Sequence, residues 1–387
     1  MNLSLTEARR LALHHQLYQF VEHRGKSAVL DVIKKLSYIQ LDTISVIERA
    51  HHHTLYNRVR DYHPDMLNDL LAKDKTIWEY WAHAASYLPI GDYPYYKIRM
   101  QNFPNGSWEK KFWELHKDLA KPILDRIRKE GPLSTKHFED TRTVKENQVW
   151  GNIKPAKIML ELLMWKGDLI VTARDKFQRV YDLTERVIPH YKEIELPSLE
   201  ARAEFMVHRA LLAHGIASES EIVKHLQVAP RQSVSSSIKK LAKSKEIISI
   251  QLEGLKDSYF SLAGTDFDSI LQQQQYNQVW LLSPFDNAVI LRNRVKNLFN
   301  YDYALECYVT PAKRKFGYWN CPILWQDTIV GILDPKADRK TKILTINSIN
   351  IDRTVWKQKH FQTEFDKELS RFALFNGCNS YTINKVA

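Results

Sequence analysis

Three times along this chain of 387 residues, short helical stretches broken at a turn lead into runs that alternate with period two. The middle copy is the plainest. Ser107 is a good N-cap, and helical periodicity continues from it to about residue 129. Gly131-Pro132-Leu133-Ser134 reads as a turn, with Ser134 capping a short second helix. A third helix over residues 155–166 opens on proline and stops at Gly167. Residues 169–173 and 177–183 then alternate around Arg174-Asp175-Lys176, which predicts a hairpin with a basic tip. Helices, turn and hairpin in that order are the plan of a winged helix-turn-helix.

The same order recurs downstream as a helix over 199–214, a turn over 215–218, helices over 219–226 and 233–244, and two strands within 247–262 around Gly254. Upstream, Leu3, Leu5, Ala8, Leu11, Ala12 and Tyr18 fall at helical spacing. Gly25 takes the turn, residues 26–36 form the next helix, and the strand that follows starts a first wing; helices over 45–60 and from His63-Pro64-Asp65 come next. From Val279 the pattern changes to short apolar runs at 279–282, 288–291, 304–309, 323–325, 328–333 and 342–346, closed by a helix over 357–375. The expected fold is therefore α+β: tandem winged units at 1–105, 106–195 and 196–275, then a small β-barrel-like domain at 276–387.

The formal charge of +11 and pI of about 9.3 favour an acidic partner, nucleic acid first and a membrane surface second. Aromatic content of 11% supplies rings for stacking on bases, although most of the 18 Tyr and 10 Trp belong to the core. No apolar run approaches the ~18 residues of a membrane span, and Met1-Asn2-Leu3-Ser4 leads into Glu7, Arg9 and Arg10 without a signal-peptide core. The expectation is a cytoplasmic, nucleoid-associated protein with no membrane partner. Cys307, Cys321 and Cys378 are too scattered for a disulfide framework or a metal knuckle and read as packing residues.

The chemistry falls on Tyr38-Ile39-Gln40-Leu41-Asp42-Thr43-Ile44. In a strand Gln40 and Asp42 share a face, setting an amide beside a carboxylate. The plain alternative is an exposed strand whose polar residues face water. Glu48-Arg49-Ala50-His51-His52-His53 follows closely. His51 and His53 do not share a helical face, and Asn57, four residues after His53, is a poor ligand, so no metal site and no cofactor is expected. These histidines read instead as groups that bond phosphate or line the site, with Arg49 supplying charge; His83 equally suits a satisfied buried position. No lysine stands out as a Schiff-base nucleophile, and neither a phosphate loop nor a carboxylate cluster for magnesium is present in the sequence. Candidate DNA-binding cations are Arg174, Lys176 and Arg179 in the second wing, Lys239, Lys240 and Lys243 near the third recognition helix, and Arg292, Arg294, Lys313, Arg314 and Lys315 in the β-rich part.

Several of these motifs together resemble one family. Gln40-Leu41-Asp42, then Arg49-Ala50-His51-His52-His53, then Trp81-Ala82-His83-Ala84-Ala85-Ser86-Tyr87-Leu88-Pro89 are similar to the winged-helix DNA glycosylases of the AlkZ and YcaQ type. So are Leu282-Ser283-Pro284-Phe285-Asp286, Arg292 and Arg294, and Lys313-Arg314-Lys315-Phe316-Gly317-Tyr318-Trp319. The resemblance implies a C-shaped protein on double-stranded DNA that hydrolyses the N-glycosidic bond of N7-alkylated purines and unhooks interstrand crosslinks; three different units in one chain without a heptad repeat read as a monomer. It further implies catalysis by Gln40 and Asp42, with His83 and Ser86 among the residues lining the site. Gln-x-Asp, rather than Gln-x-Gln, places the chain nearer the YcaQ-like branch. The rival expectation is a winged-helix transcriptional regulator or a damage-binding protein without catalysis.

Overall fold

The computed structural model describes residues 1–18, 23–138, 154–273 and 277–387. The contacts divide the chain into two compact units, one of Met1–His63, Ala82–Ser86 and Ala203–Ala387, the other of Pro64–Trp81 and Tyr87–Arg202. Pro155–Lys166 and Leu199–His214 form helices over the residues their periodicity predicts. The hairpins form at Leu169–Asp175 with Gln178–Leu183 and at Ile247–Leu252 with Ser258–Leu262. Of the short helix after Ser134, a single turn at Thr135–His137 lies among the described residues; 139–153 lie outside them.

Each hairpin takes a third, two-residue strand on its second arm. Leu133–Ser134 pairs with Gln178–Leu183, and Ala217–Ser218 pairs with Ser258–Leu262. The sheet containing Ile39–Gln40 has the same order, with Ala85–Pro89 in the middle and Ile77–Trp81 beyond. Three residues before the end of each short strand the backbone turns left-handed: Gly131 at φ 91°, Gly215 at φ 71° and Ser37 at φ 71°. Thus Ser37, rather than Gly25, occupies the turn in the first copy. Gly25 instead begins the Gly25–Leu36 helix, its N–H donating to the Asp61 carboxylate. Gln40 accordingly sits in the short strand that follows the turn, and the hairpin of the first copy is Ile77–Trp81 with Ala85–Pro89.

Further differences have tertiary causes. The helix expected over 45–60 is confined to Ala50–Tyr56. Val46 O accepts the Ala337 N–H, and the Glu48 N–H donates to Asn376 Oδ1, so the chain before Ala50 is held out of the helix. Residues 288–291 are turns leading into a helix at Arg292–Phe299 that buries Val295, Leu298 and Phe299. Residues 304–309 form a loop. The C-terminal sheet runs in sequence order from Val279–Leu281 through Cys321–Trp325, Thr328–Asp338 and Ile343–Ile351 to Ser380–Ile383, the last strand parallel to its neighbour. It is an open half-barrel rather than a closed one. The Lys359–Phe375 helix packs against both edge strands, where closure would have to occur.

Inside the unit that contains Met1, Leu3, Leu11, Tyr18, Ile250, Trp280, Val295, Leu324 and Ile332 belong to one buried cluster. The strand Asn2–Leu3 adds in parallel to the edge of the Ile247–Leu252 arm. No described helix is long and apolar enough to cross a membrane.

Candidate active site

The segment Leu281–Asn287 is the plate on which the site is mounted. Asn287 Nδ2 donates to Tyr38 O at 3.1 Å, fixing the turn just ahead of Gln40. His53 Nε2 and Asn57 Nδ2 both donate to Leu281 O, at 2.7 and 2.9 Å, anchoring the helix that follows Arg49. Asp286 completes the attachment. Its two oxygens take Arg58 Nη1 and Nη2 at 2.7 and 2.8 Å, and both side chains are 0% exposed. Burial alone would raise the Asp286 pKa, but the facing guanidinium holds it below the ordinary carboxylate value. Arg58 also bonds Gln16 O and Thr54 O and lies over the Tyr18 ring, so every part of this buried ion is engaged.

On this mount, Gln40 is 8% exposed, and its Oε1 is buried with no hydrogen-bond partner in the protein. A buried carbonyl oxygen without a donor is costly, which makes this acceptor an invitation to a proton from water or substrate. The strand ends at Gln40, although the Leu41 N–H still donates to Ala85 O. Asp42 therefore lies in the loop beyond the strand, not on it. Its Oδ1 accepts the Ile44 N–H at 2.7 Å, an Asx turn that a strand could not make. Partial burial raises the Asp42 pKa, against the Ile44 N–H and the positive charge of Arg49, which favour the ionised form.

Two residues not singled out for the site lie within electrostatic reach of Asp42. Burial and then the Asp42 charge raise the Cys307 thiol, and burial, Cys307 and Asp42 together raise the Tyr308 phenol. Tyr308 is 78% exposed, a large ring left in solvent. The loop carrying it is clamped from below. The buried Glu306 carboxylate accepts the N–H groups of Lys315, Phe316 and Gly317 and a donor from Asn320. No sequence periodicity marks such a clamp; the nearest signal was Tyr308 itself, within a run read as a strand.

The other candidates are placed as follows. His51 is buried with its ring 4.2 Å from His52, which bonds Tyr62. His53 packs on Phe372 and is kept neutral by burial, its pKa lowered to about 4. His83 Nδ1 donates to Lys224 O and the ring stacks on Tyr38. Ser86 Oγ donates to Ala84 O within its hairpin. Arg174 pairs with buried Glu79, Nη2 to Oε2 at 2.7 Å, and Arg179 shares that carboxylate, whereas Lys176 is exposed at the hairpin tip. Arg292 bonds Val289 O and Pro284 O; Arg294 is buried against Glu221 at 2.7 Å; Arg314 donates to Val309 O and lies over Tyr318. Lys240 pairs with Glu204 on the surface. The structure thus sets Asp42 within reach of the Arg49 charge, with Gln40 at the strand end two residues before it. It engages His53, Arg174 and Arg294 in internal bonds. Among the described residues no three His, Cys, Asp or Glu side chains gather as a metal-ligand set.

The buried histidines predict acid lability. Burial lowers His15 and His53 to about 4 and His225 to about 3, against 6.5 in the unfolded chain. Their contribution to stability is complete above pH 6.5 and is lost as the pH falls from there toward 4, because the unfolded chain binds protons that the fold refuses. Three such groups cost about 4 kcal/mol per pH unit in the steep part. Urea midpoints between pH 7 and pH 5 check this, and a flat profile would contradict it.

Gln40 offers a buried, unpartnered amide oxygen, and, two residues on, Asp42 offers a carboxylate whose pKa burial raises, while the half-barrel with three short-strand sheets gives the chain an α+β frame. The family model for AlkZ-like DNA glycosylases matches residues 33–375, and the chain belongs to that family. The structure of Streptomyces sahachiroi DNA glycosylase AlkZ matches over 100% of both chains with a TM-score of 0.65 at 15% identity, a likeness of fold.

Proposed function

We propose that this DNA glycosylase hydrolyses N7-alkylated purines and unhooks interstrand crosslinks, with Asp42 and Gln40 as its catalytic pair. The observation that carries the assignment is the orphaned Gln40 Oε1 beside the half-buried Asp42 carboxylate. N7 alkylation leaves the base positively charged, so no general acid is needed. The C1′–N9 bond breaks, and its electron pair leaves with the base and neutralises the ring. The sugar passes through an oxocarbenium-like state that the Asp42 charge stabilises. Water adds to C1′ and gives its proton to Asp42, while Gln40 holds that water by accepting from it. Binding duplex DNA as a monomer through tandem winged units is part of the same reading, supported by the recurring helix, short-strand and hairpin order. The Gln-x-Asp pattern supports the wider, crosslink-accepting substrate range.

The test is release of free base from a duplex carrying N7-methylguanine and, side by side, from a nitrogen-mustard crosslinked duplex. Abasic sites should form in both, and EDTA should leave the rate unchanged. No release from either duplex would end the proposal.

A further inference from the structure

The turn that carries Tyr308 is tied down on every side. The Val309 N–H donates to Glu306 O at 2.9 Å, which puts Cys307 and Tyr308 at the two corner positions. Beneath the corner, Glu306 Oε2 accepts the Phe316 and Gly317 N–H groups at 2.8 and 3.2 Å, and Arg314 Nε donates to Val309 O at 2.8 Å. Asp334 Oδ1 takes the next two N–H groups, of Tyr318 and Trp319, at 3.1 and 2.8 Å. Gly317, at φ 141°, fits against it only because it has no Cβ, which would fall 2.3 Å from Asp334 Cγ. A tyrosine in solvent is ordinary by itself. Here a ring 78% exposed stands on a turn whose backbone has been fixed in advance, and a fixed contact surface binds without the entropy cost of ordering a loop.

One strand supports both this turn and the Asp42 loop. Asp334, which holds Tyr318 and Trp319, lies in Thr328–Asp338. Three residues further on, the Ala337 N–H donates to Val46 O at 2.8 Å, and Arg339 Nη1 donates to Ser45 O at 3.3 Å. Three residues of strand span roughly 10 Å. The electrostatics agree with that spacing. Burial and then Asp42 raise the Cys307 thiol, and burial, Cys307 and Asp42 raise the Tyr308 phenol, so the Asp42 charge reaches both corners. The face of a phenol ring is itself electron-rich and attracts cations. An N7-alkylated purine is a flat cation, whereas an undamaged purine is flat and neutral. As the C1′–N9 bond breaks, the positive charge passes from base to sugar. A ring against the base therefore favours the bound substrate, and the charge of the transition state falls to Asp42.

We propose that Tyr308 is the residue that distinguishes an alkylated purine from an undamaged one, its ring face lying against the cationic base while Asp42 faces the sugar. This rests on the proposed reaction, but its test does not need turnover. Full-length protein is titrated by fluorescence polarisation with a duplex bearing one 2′-fluoro-N7-methylguanine, in which the fluorine slows loss of the base, and with the same duplex bearing unmethylated 2′-fluoroguanine. Wild type should prefer the methylated duplex. Tyr308→Ala should lose about ten-fold in affinity for it, the size of a lost stack on a cation, and bind the unmethylated duplex as wild type does. Tyr308→Phe keeps the ring face and should keep the preference. In base release from N7-methylguanine, Tyr308→Ala should raise KM about ten-fold with no fall in kcat. A wild type that binds both duplexes equally overturns the proposal, and so does a preference that persists in folded Tyr308→Ala. Preference that depends on Tyr308 in a protein releasing no base would uphold this assignment and end the catalytic one.

Discussion

Asp42→Asn is expected to abolish base release, by roughly 10³-fold or more in rate, while duplex affinity stays within a few-fold of wild type. Asparagine keeps the shape and can still accept the Ile44 N–H that forms the Asx turn, so the loop should survive. What disappears is the negative charge opposite the developing oxocarbenium and the base that takes the water proton. Because burial raises the Asp42 pKa, the wild-type rate should also fall on acidification at a higher pH than an ordinary aspartate would give. The sign follows from the role: the ionised form works, so activity is present above the raised pKa and lost below it. Single-turnover release from a methylated duplex, with binding measured on the same preparation, checks both statements. A variant that retains release within ten-fold of wild type would show that the charge is not what catalyses.

Arg58→Met should be the most damaging stability change near the site, at about 3–5 kcal/mol, since removing one partner of a buried pair leaves the other charge uncompensated. Asp286 would then have to take up a proton or draw in water. The double variant Arg58→Met/Asp286→Leu should recover much of the loss, because both charges leave together. Urea unfolding with unchanged m values measures this. The double variant falling below the single one would indicate that Asp286 supports the fold without Arg58, through the N–H it accepts from Ala288.

Much of the frame was legible because local chemistry and final structure agree. Pro155 and Gly167 bracket a helix in the sequence, and they bracket it in the fold. The misplacement in the first copy has a specific cause. Gly131 and Gly215 announce their left-handed turns, whereas the equivalent turn at residue 37 is made by a serine. The visible glycine, Gly25, lies twelve residues earlier in the chain and starts a helix.

The site itself was half legible. Gln40 and Asp42 were picked out by residue type, but their supposed common strand face is replaced by a strand end and an Asx turn. Their positioning depends on Asn287, Leu281 and Asp286, some 240 residues away, and no local pattern reports such bonds. The basic residues were the least legible. A sequence gives a guanidinium but not its partner, and Glu79 and Glu221 claim Arg174 and Arg294 internally. By contrast, the short-strand comparison identifies something the motif alone could not. The position of Gln40 is held in the other two copies by Ser134 and Ser218, each the N-cap of the helix that follows. In the first copy no helix follows until Ala50, so the side chain at that position is released from capping.

The interleaving of the two compact units bears on the order in which the chain can acquire its structure during synthesis. Residues 64–81 and 87–202 are all available once the ribosome has passed residue 202, whereas the Gln40 segment must wait for Leu281, Asn287, Ala337 and Asn376. At roughly 5–20 residues per second, that leaves the earliest-made helices without their final neighbours for about ten seconds or more. Nascent chains stalled before residue 281 should therefore carry protease-resistant fragments from within residues 87–138 and 154–202 and no ordered Gln40 segment.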